Sequence, residues 1–136
     1  MIAVLMLAGV IDSGLAGPAK VDKAVEARYT KAYTTCLNTG DAAAGQNLAM
    51  QQCGQDEFAR QDAALNTTYA ATIKRLTPAK QTKLRGFERT WANGRDSGCR
   101  ASAHKEGGGG TIEGLLYISC RVDTTIRRSI WLEAYK

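Results

Sequence analysis

Apolar positions along the chain recur at helical spacing and nowhere alternate over a long stretch. In VDKAVEARYTKAYTTCL, Val21, Val25, Tyr29, Ala32 and Tyr33 share one helix face, which predicts a first helix from about Val21 to Cys36. Asn38, Gly40, Asp41 and Gly45 then form a breaking cluster. A long second helix is expected from about residue 46 to Leu76, with Met50, Cys53, Phe58, Leu65, Tyr69 and Ile73 as most of its apolar surface. It stops at Leu76-Thr77-Pro78, where Thr77 is placed as an N-cap and Pro78 takes a first-turn position that needs no amide hydrogen. The third helix runs from Pro78 to about Cys99 and is weakened at Gly86 and Gly94, by roughly 1 kcal/mol each relative to alanine. RASAHKEGGGGTIEGLLYIS follows as a Gly-rich loop, with a short extended piece at LLYIS, and a last helix spans about Asp123 to Tyr135. The pattern predicts an all-α fold, a small bundle of about four helices with one long Gly-rich loop.

Two polar ladders border the apolar faces. Trp91, Arg95 and Cys99 recur at i, i+4 and i+8, so they share a stripe with Phe87 that must face the bundle. The stem of Arg95 can lie along Trp91 while its guanidinium meets Asp62, Glu57 or Asp96. On the second helix Asp62, Asn66 and Tyr69 fall at i, i+4 and i+7, and Asp62 and Asn66 are expected to satisfy each other or Arg95. Asp62, Asn66, Trp91, Arg95 and Asp96 therefore read as a structural polar core. An anion site at Arg95, or a general base at Asp62, is the sharper alternative. No nucleophile, second acid or metal ligand stands at matched spacing, so catalytic residues and an enzymatic role are not expected.

The N-terminus and the cysteines change the picture more than the overall composition does. MIAVLMLAGVIDSGLA carries an apolar run from Ile2 to Ile11 and a small-x-small ending at Gly14 and Ala16, which reads as a signal peptide over residues 1–16 ahead of one domain over 17–136. No Lys or Arg precedes the run, which leaves open a start codon further upstream or a buried core helix. The run is too short for a membrane span, which takes roughly 20 residues, and no cysteine before Cys36 offers a lipid anchor. Removing the signal takes away only Asp12 among charged residues and raises the net charge from +5 to +6. Such a surplus favours contact with anionic polymers or lipid surfaces. Cys36, Cys53, Cys99 and Cys120 include no C-x-x-C pair, and the chain has one histidine, His104, so two disulfides are expected in place of a metal site. The protein is placed in the periplasm or outside the cell, without cofactor.

Beyond these readings, an ordered set of residues resembles the LprI-like lysozyme-inhibitor family. It comprises Cys36, MQQC at Met50 to Cys53, Glu57, Asp62, LNTTY at Leu65 to Tyr69, Leu84, ERTW at Glu88 to Trp91, RDSGC at Arg95 to Cys99, the glycines at 107–110 and Cys120, and it covers residues 36 to about 132. Glu88 stands where the family usually has glutamine, which bears on the partner taken by Arg95 or Arg89. Gly94 stands where a larger residue is usual, which leaves a hole on the third helix. The resemblance implies an exported, helical, disulfide-bonded bundle, with inhibition of lysozyme as the named activity of some members.

Pairing Cys36 with Cys53 and Cys99 with Cys120 is preferred because the first bridge clamps the first helix to the second and the second ties both ends of the glycine loop. The other two pairings remain open on sequence alone. Each bridge should contribute roughly 3 kcal/mol. A loop with tied ends and a free tip suits entry into a concave active site, which makes His104, Lys105, Glu106 and Glu113 the expected target-binding residues. The partner expected is a lysozyme-like peptidoglycan hydrolase, with a facing acidic patch around Asp41, Asp56, Glu57 and Asp62. The alternative is an envelope-binding module that uses Lys74, Arg75, Lys80, Lys83, Arg85 and Arg89 against anionic polymers or lipid. Nucleic acid is not expected, since no recognition motif is present.

Overall fold

A computed structural model describes residues 22–136, so the expected signal peptide lies outside the described residues. Six helices follow one another: α1 (Lys23–Glu26), α2 (Lys31–Leu37), α3 (Gly40–Ala43), α4 (Asn47–Lys74), α5 (Pro78–Gly107) and α6 (Glu113–Ala134). There is no strand among the described residues, and the all-α expectation holds. The long helices α4, α5 and α6 run up, down and up, with α6 packed against both of the others and α4 and α5 meeting only sparsely. The short helices α1 to α3 fold back on α4 and α6.

The expected first helix is two helices, and a buried carboxylate breaks it. The Glu57 side chain on α4 is fully buried. Its Oε1 accepts from the Thr30 backbone N–H at 2.9 Å and its Oε2 from the Thr30 hydroxyl at 2.6 Å. Thr30 is thereby held in extended backbone, where its Oγ1 in turn accepts from the Tyr33 N–H and caps α2. The Arg28 carbonyl freed by the break is taken by the Gln61 amide at 2.8 Å, and Gln61 also donates to Glu57 Oε1. Arg60 completes the set with a bond from Nε to Oε2 at 3.0 Å. Burial pushes the Glu57 carboxyl up, but the bonds from Gln61, Thr30 and Arg60 outweigh it and hold the group below the usual carboxylate range.

The α4–α6 seam is built from small and polar residues that let the two backbones approach. Gly54, Glu57, Gln61, Leu65 and Thr72 are buried on α4, opposite Ile118, Val122, Thr125, Ile126, Ser129 and Leu132 on α6. A Cβ on Gly54 would stand 2.8 Å from a methyl of Ile118. The apolar core forms three groups: Tyr33, Ala42 and Cys53 among α2, α3 and α4, Val25, Val122 and Ile126 between α1 and α6, and Leu65, Leu84 and Leu132 where α4, α5 and α6 meet. Phe87, expected on the inward stripe, is 42% exposed and packs edge-on against Trp131.

The long Gly-rich loop is the largest correction. Helix α5 continues past Cys99 to Gly107 because ASAHKE contains adequate helix formers, and Ser102 bonds Glu106 one turn later at 2.9 Å. It ends where Gly108 adopts φ +59° and its N–H returns to the His104 carbonyl at 2.9 Å. The glycines are thus a helix stop and a tight turn, and the connection is only residues 108–112. LLYIS, read as extended, is the start of α6, which begins ten residues before the expected Asp123. A short apolar run does not distinguish a strand from a buried helix turn.

At the opposite end, Thr77 precedes Pro78 as expected, although its hydroxyl makes no capping bond. Gln81 satisfies the end of α4 by donating to the Ile73 carbonyl at 2.9 Å. Arg75 closes the end of α6, donating to the carbonyls of Leu132, Glu133 and Tyr135 at 3.1, 3.2 and 2.6 Å.

Two substitutions test this packing. Gly54→Ala should destabilise the fold by about 1 to 3 kcal/mol in urea unfolding, since the β-branched Ile118 has little freedom to retreat, and combined with Ile118→Ala it should cost less than the sum of the two single losses. Glu57→Ala should cost about 3 kcal/mol at neutral pH by leaving the Thr30 N–H buried and unpaired. Because the folded-state carboxyl titrates lower than in the unfolded chain, its stabilisation is complete above the ordinary range near 4.3 and is lost as pH falls through the folded value. Stability measured from about pH 5 downward should therefore decline more steeply in the parent than in the variant.

Candidate functional site

The residues expected at a binding tip do lie together at one end of the bundle, but on a helical hairpin. Cys99 and Cys120 are joined across α5 and α6, as Cys36 and Cys53 are joined across α2 and α4. About two turns beyond the α5–α6 bridge, residues 104–106 and 108–112 are all exposed. His104 Nδ1 lies 3.2 Å from Glu113 Oε1, so these two side chains span the turn. Glu106 is engaged along its own helix by Ser102, while Ile112 is 43% exposed between the two helices. A recess of about 540 Å³ beside the turn is lined by Arg100, His104, Gly109, Glu113 and Tyr117.

The expected polar core is instead a half-open wall. Arg95 Nη1 donates to Asp62 at 3.0 Å and its Nε to Asp96 at 2.9 Å, whereas Glu57 is committed elsewhere. Asp62 and Asp96 keep 41% and 43% of their side-chain surface exposed, and Arg95 keeps 13%. Asn66 is exposed beside this cluster, with no side-chain hydrogen bond to it among the described residues. Asp96 also receives Arg121 Nε at 3.0 Å; desolvation pushes its carboxyl up, and the two guanidiniums pull it down past its ordinary value.

Around these ion pairs the guanidiniums and rings alternate. The Arg100 guanidinium lies 5.3 Å from the Tyr117 ring, Arg121 5.4 Å from Tyr117 and 3.8 Å from Phe58, and Arg95 4.8 Å from Phe58 and 5.3 Å from Trp91. Arg128 continues the series, 5.5 Å from Trp91 and 3.9 Å from Trp131, with its Nε donating to Glu88 at 2.6 Å. Glu88 therefore takes Arg128, and neither Arg95 nor Arg89. Arg121 was missed because residues before Asp123 read as loop, and Arg128, although inside the expected last helix, was then left without the partner seven residues earlier; that spacing, with Tyr117 four before Arg121, is the signal that a longer α6 would have given.

Where α4 and α5 splay apart, a cleft of about 430 Å³ opens over this wall. Trp91, Tyr69 and Leu65 give it an apolar side, and Asp62, Asn66 and Glu88 give it polar groups. Arg85 and Arg89 stand exposed at its edge with no carboxylate within 4.0 Å among the described residues. The hole expected at Gly94 is present as a shallow groove of about 300 Å³ beside Trp91 and the Cys99–Cys120 bridge. The acidic patch is reduced to Asp41 and Asp56, since Glu57 is buried and Asp62 is paired.

A family model described as Lysozyme inhibitor LprI matches residues 36–132. The match takes in both disulfides and nearly all of α4 to α6, and leaves α1 and most of α2 outside it. No curated protein and no solved structure matches the chain.

Arg95→Met keeps a stem to pack on Trp91 but leaves Asp62 unpaired and Asp96 with Arg121 alone. It should lower stability by about 1 to 2 kcal/mol in urea unfolding, with the loss shrinking as salt rises because the acids are part-exposed.

Proposed function

This chain belongs to the family of lysozyme inhibitor LprI, and from that premise we propose that it is an exported, non-catalytic inhibitor of a lysozyme or related peptidoglycan hydrolase, contacting its target through the α5–α6 tip. The observation that carries the reading is the construction of that tip. Thr111 and Ile112 lie exposed on a turn of five residues, and Lys105 and Glu106 lie exposed on the last turn of α5 just before it, with the two supporting helices bonded by Cys99–Cys120. Such a segment loses little conformational freedom on docking, and it offers an apolar centre with charges at its rim. His104 and Glu113 hold the turn, so their part is to shape it as much as to touch the target.

Two disulfides fit an oxidising compartment, in line with a periplasmic or secreted protein formed of one domain after signal removal. The net charge of the chain is +5, so a hydrolase less basic than animal lysozymes meets less repulsion. A weaker contact with anionic envelope polymers fits the exposed Lys74, Lys80, Lys83, Arg85 and Arg89. Arg75 is not available for it, since it is spent on the end of α6.

The oxidised protein should slow cell-wall clearing by at least one member of a panel of animal c-type, g-type and bacterial lysozymes; undiminished clearing across the panel removes the reading. Lys105→Glu with Ile112→Asp should weaken inhibition tenfold or more, about 1.4 kcal/mol, with urea unfolding unchanged. Full inhibition by that variant would move the contact away from the tip.

A further inference from the structure

The cleft between α4 and α5 lies away from the tip, along residues 62–69 of α4 and 85–95 of α5, and the inhibitor reading makes no use of it. Its volume, about 430 Å³, falls in the lower part of the range for small-molecule sites, roughly 300 to 1,000 Å³. It is shaped by two helices that diverge from a tight corner at residues 75–77, with the Leu65, Leu84 and Leu132 group and the Arg95 wall behind it. The site is therefore built on helices and not on a loop.

Its chemistry narrows the ligand. Arg85 and Arg89 are guanidiniums without a carboxylate partner among the described residues, and they flank the same opening, so an anionic group is favoured there. Inside, however, stand two carboxylates. Asp62 keeps an exposed edge beside its bond to Arg95, and Glu88 is paired with Arg128. A bare phosphate or sulfate in contact with both would be repelled, whereas a molecule with hydroxyls can donate to Asp62 while placing its own anion toward the arginines. Asn66 is exposed at the cleft and offers both an amide donor and an acceptor, the complement of an acetamido group. Trp91, half-buried, lines the cleft together with Tyr69 and turns ring surface into it, against which an apolar face can lie. Hydroxyls, an amide, an apolar ring face and one carboxylate occur together in an acidic N-acetylated sugar.

We propose that the α4–α5 cleft is a binding site for a carboxylate-bearing, N-acetylated amino sugar of the kind found in bacterial cell-wall glycan, with Arg85 and Arg89 taking the carboxylate, Asn66 the acetamido group, Asp62 a hydroxyl and Trp91 the sugar face. This gives the contact of the basic corner with anionic polymers a defined seat, and it needs neither the tip nor a hydrolase. Binding of glycan here leaves the tip free, so an inhibitor resting on the wall stays where its target works.

The test uses the full oxidised protein labelled with nitrogen-15 and no hydrolase. The disaccharide of N-acetylglucosamine and N-acetylmuramic acid is titrated while the indole N–H of Trp91 and the side-chain amide of Asn66 are followed by NMR. Its neutral counterpart, di-N-acetylchitobiose, and a tetraglutamate peptide are titrated in parallel. Saturable shifts at both reporters are expected with the acidic disaccharide, with affinity at least tenfold weaker for chitobiose and for the variant Arg85→Gln/Arg89→Gln. Equal affinity for the two sugars overturns the assignment of the arginines. Preference for tetraglutamate makes the cleft a seat for an acidic peptide and overturns the sugar, as does an absence of saturable shifts in the millimolar range. If the double variant folds poorly, the comparison of the two sugars on the unaltered protein decides alone. Loss of lysozyme inhibition in other assays has no bearing on these outcomes.

Discussion

The buried carboxylate of Glu57 is the constraint on which the arrangement of this protein rests. A charge taken from water is tolerated only where its oxygens are bonded, and here four donors from Thr30, Arg60 and Gln61 converge on it. Meeting that demand fixes the end of α1 and the cap of α2. It thereby sets the direction from which Cys36 reaches Cys53. Tyr29, released from a continuous helix, turns its hydroxyl to Asp123 on α6 at 2.6 Å, and burial together with that bond raises its phenol well above the ordinary tyrosine range. One acidic group on α4 thus orders the N-terminal segment against two other helices.

The seam between α4 and α6 shows the same reliance on polar groups at close quarters. Thr72 donates to the Leu132 carbonyl at 3.1 Å inside the protein, and Thr125 and Ser129 are buried where a larger domain would place leucine. With α4 drawn so near to α6, α5 is left to pack mainly on α6, along a wall of guanidiniums and rings. Cation–π contacts of this kind contribute about 0.5 to 2 kcal/mol each, depending on burial. They hold α5 firmly enough to align the tip while leaving room between α4 and α5. Tip and cleft are consequences of a single packing choice.

Much of this was legible in the sequence, for identifiable reasons. Helix α4 and the start of α5 were readable because their apolar spacing is long and Thr77-Pro78 is a strong local punctuation. Helical spacing put Arg95 beside Trp91 and left Asp62, Glu57 and Asp96 as its candidate carboxylates, of which the fold uses Asp62 and Asp96. The break at Thr30 was not readable, because the group that causes it lies 27 residues away. The glycine run misled for the opposite reason: four glycines in sequence imply a loop, yet in the fold two of them take positive φ to stop a helix and turn the chain at once. That misreading displaced the start of α6 and hid Arg121, Tyr117 and half of the wall behind the cleft. The cleft itself depends on how far α4 and α5 diverge, which no local pattern encodes.

Both disulfides lie at one level of the bundle, since Cys53 precedes the Gly54 that meets Ile118, and Cys120 follows shortly after. At roughly 3 kcal/mol apiece, they represent a large fraction of the 5 to 15 kcal/mol that separates a typical domain from its unfolded chain. Oxidation is accordingly the step that turns this bundle from a marginal fold into a durable one, and a reductant should act on it much as a denaturant does.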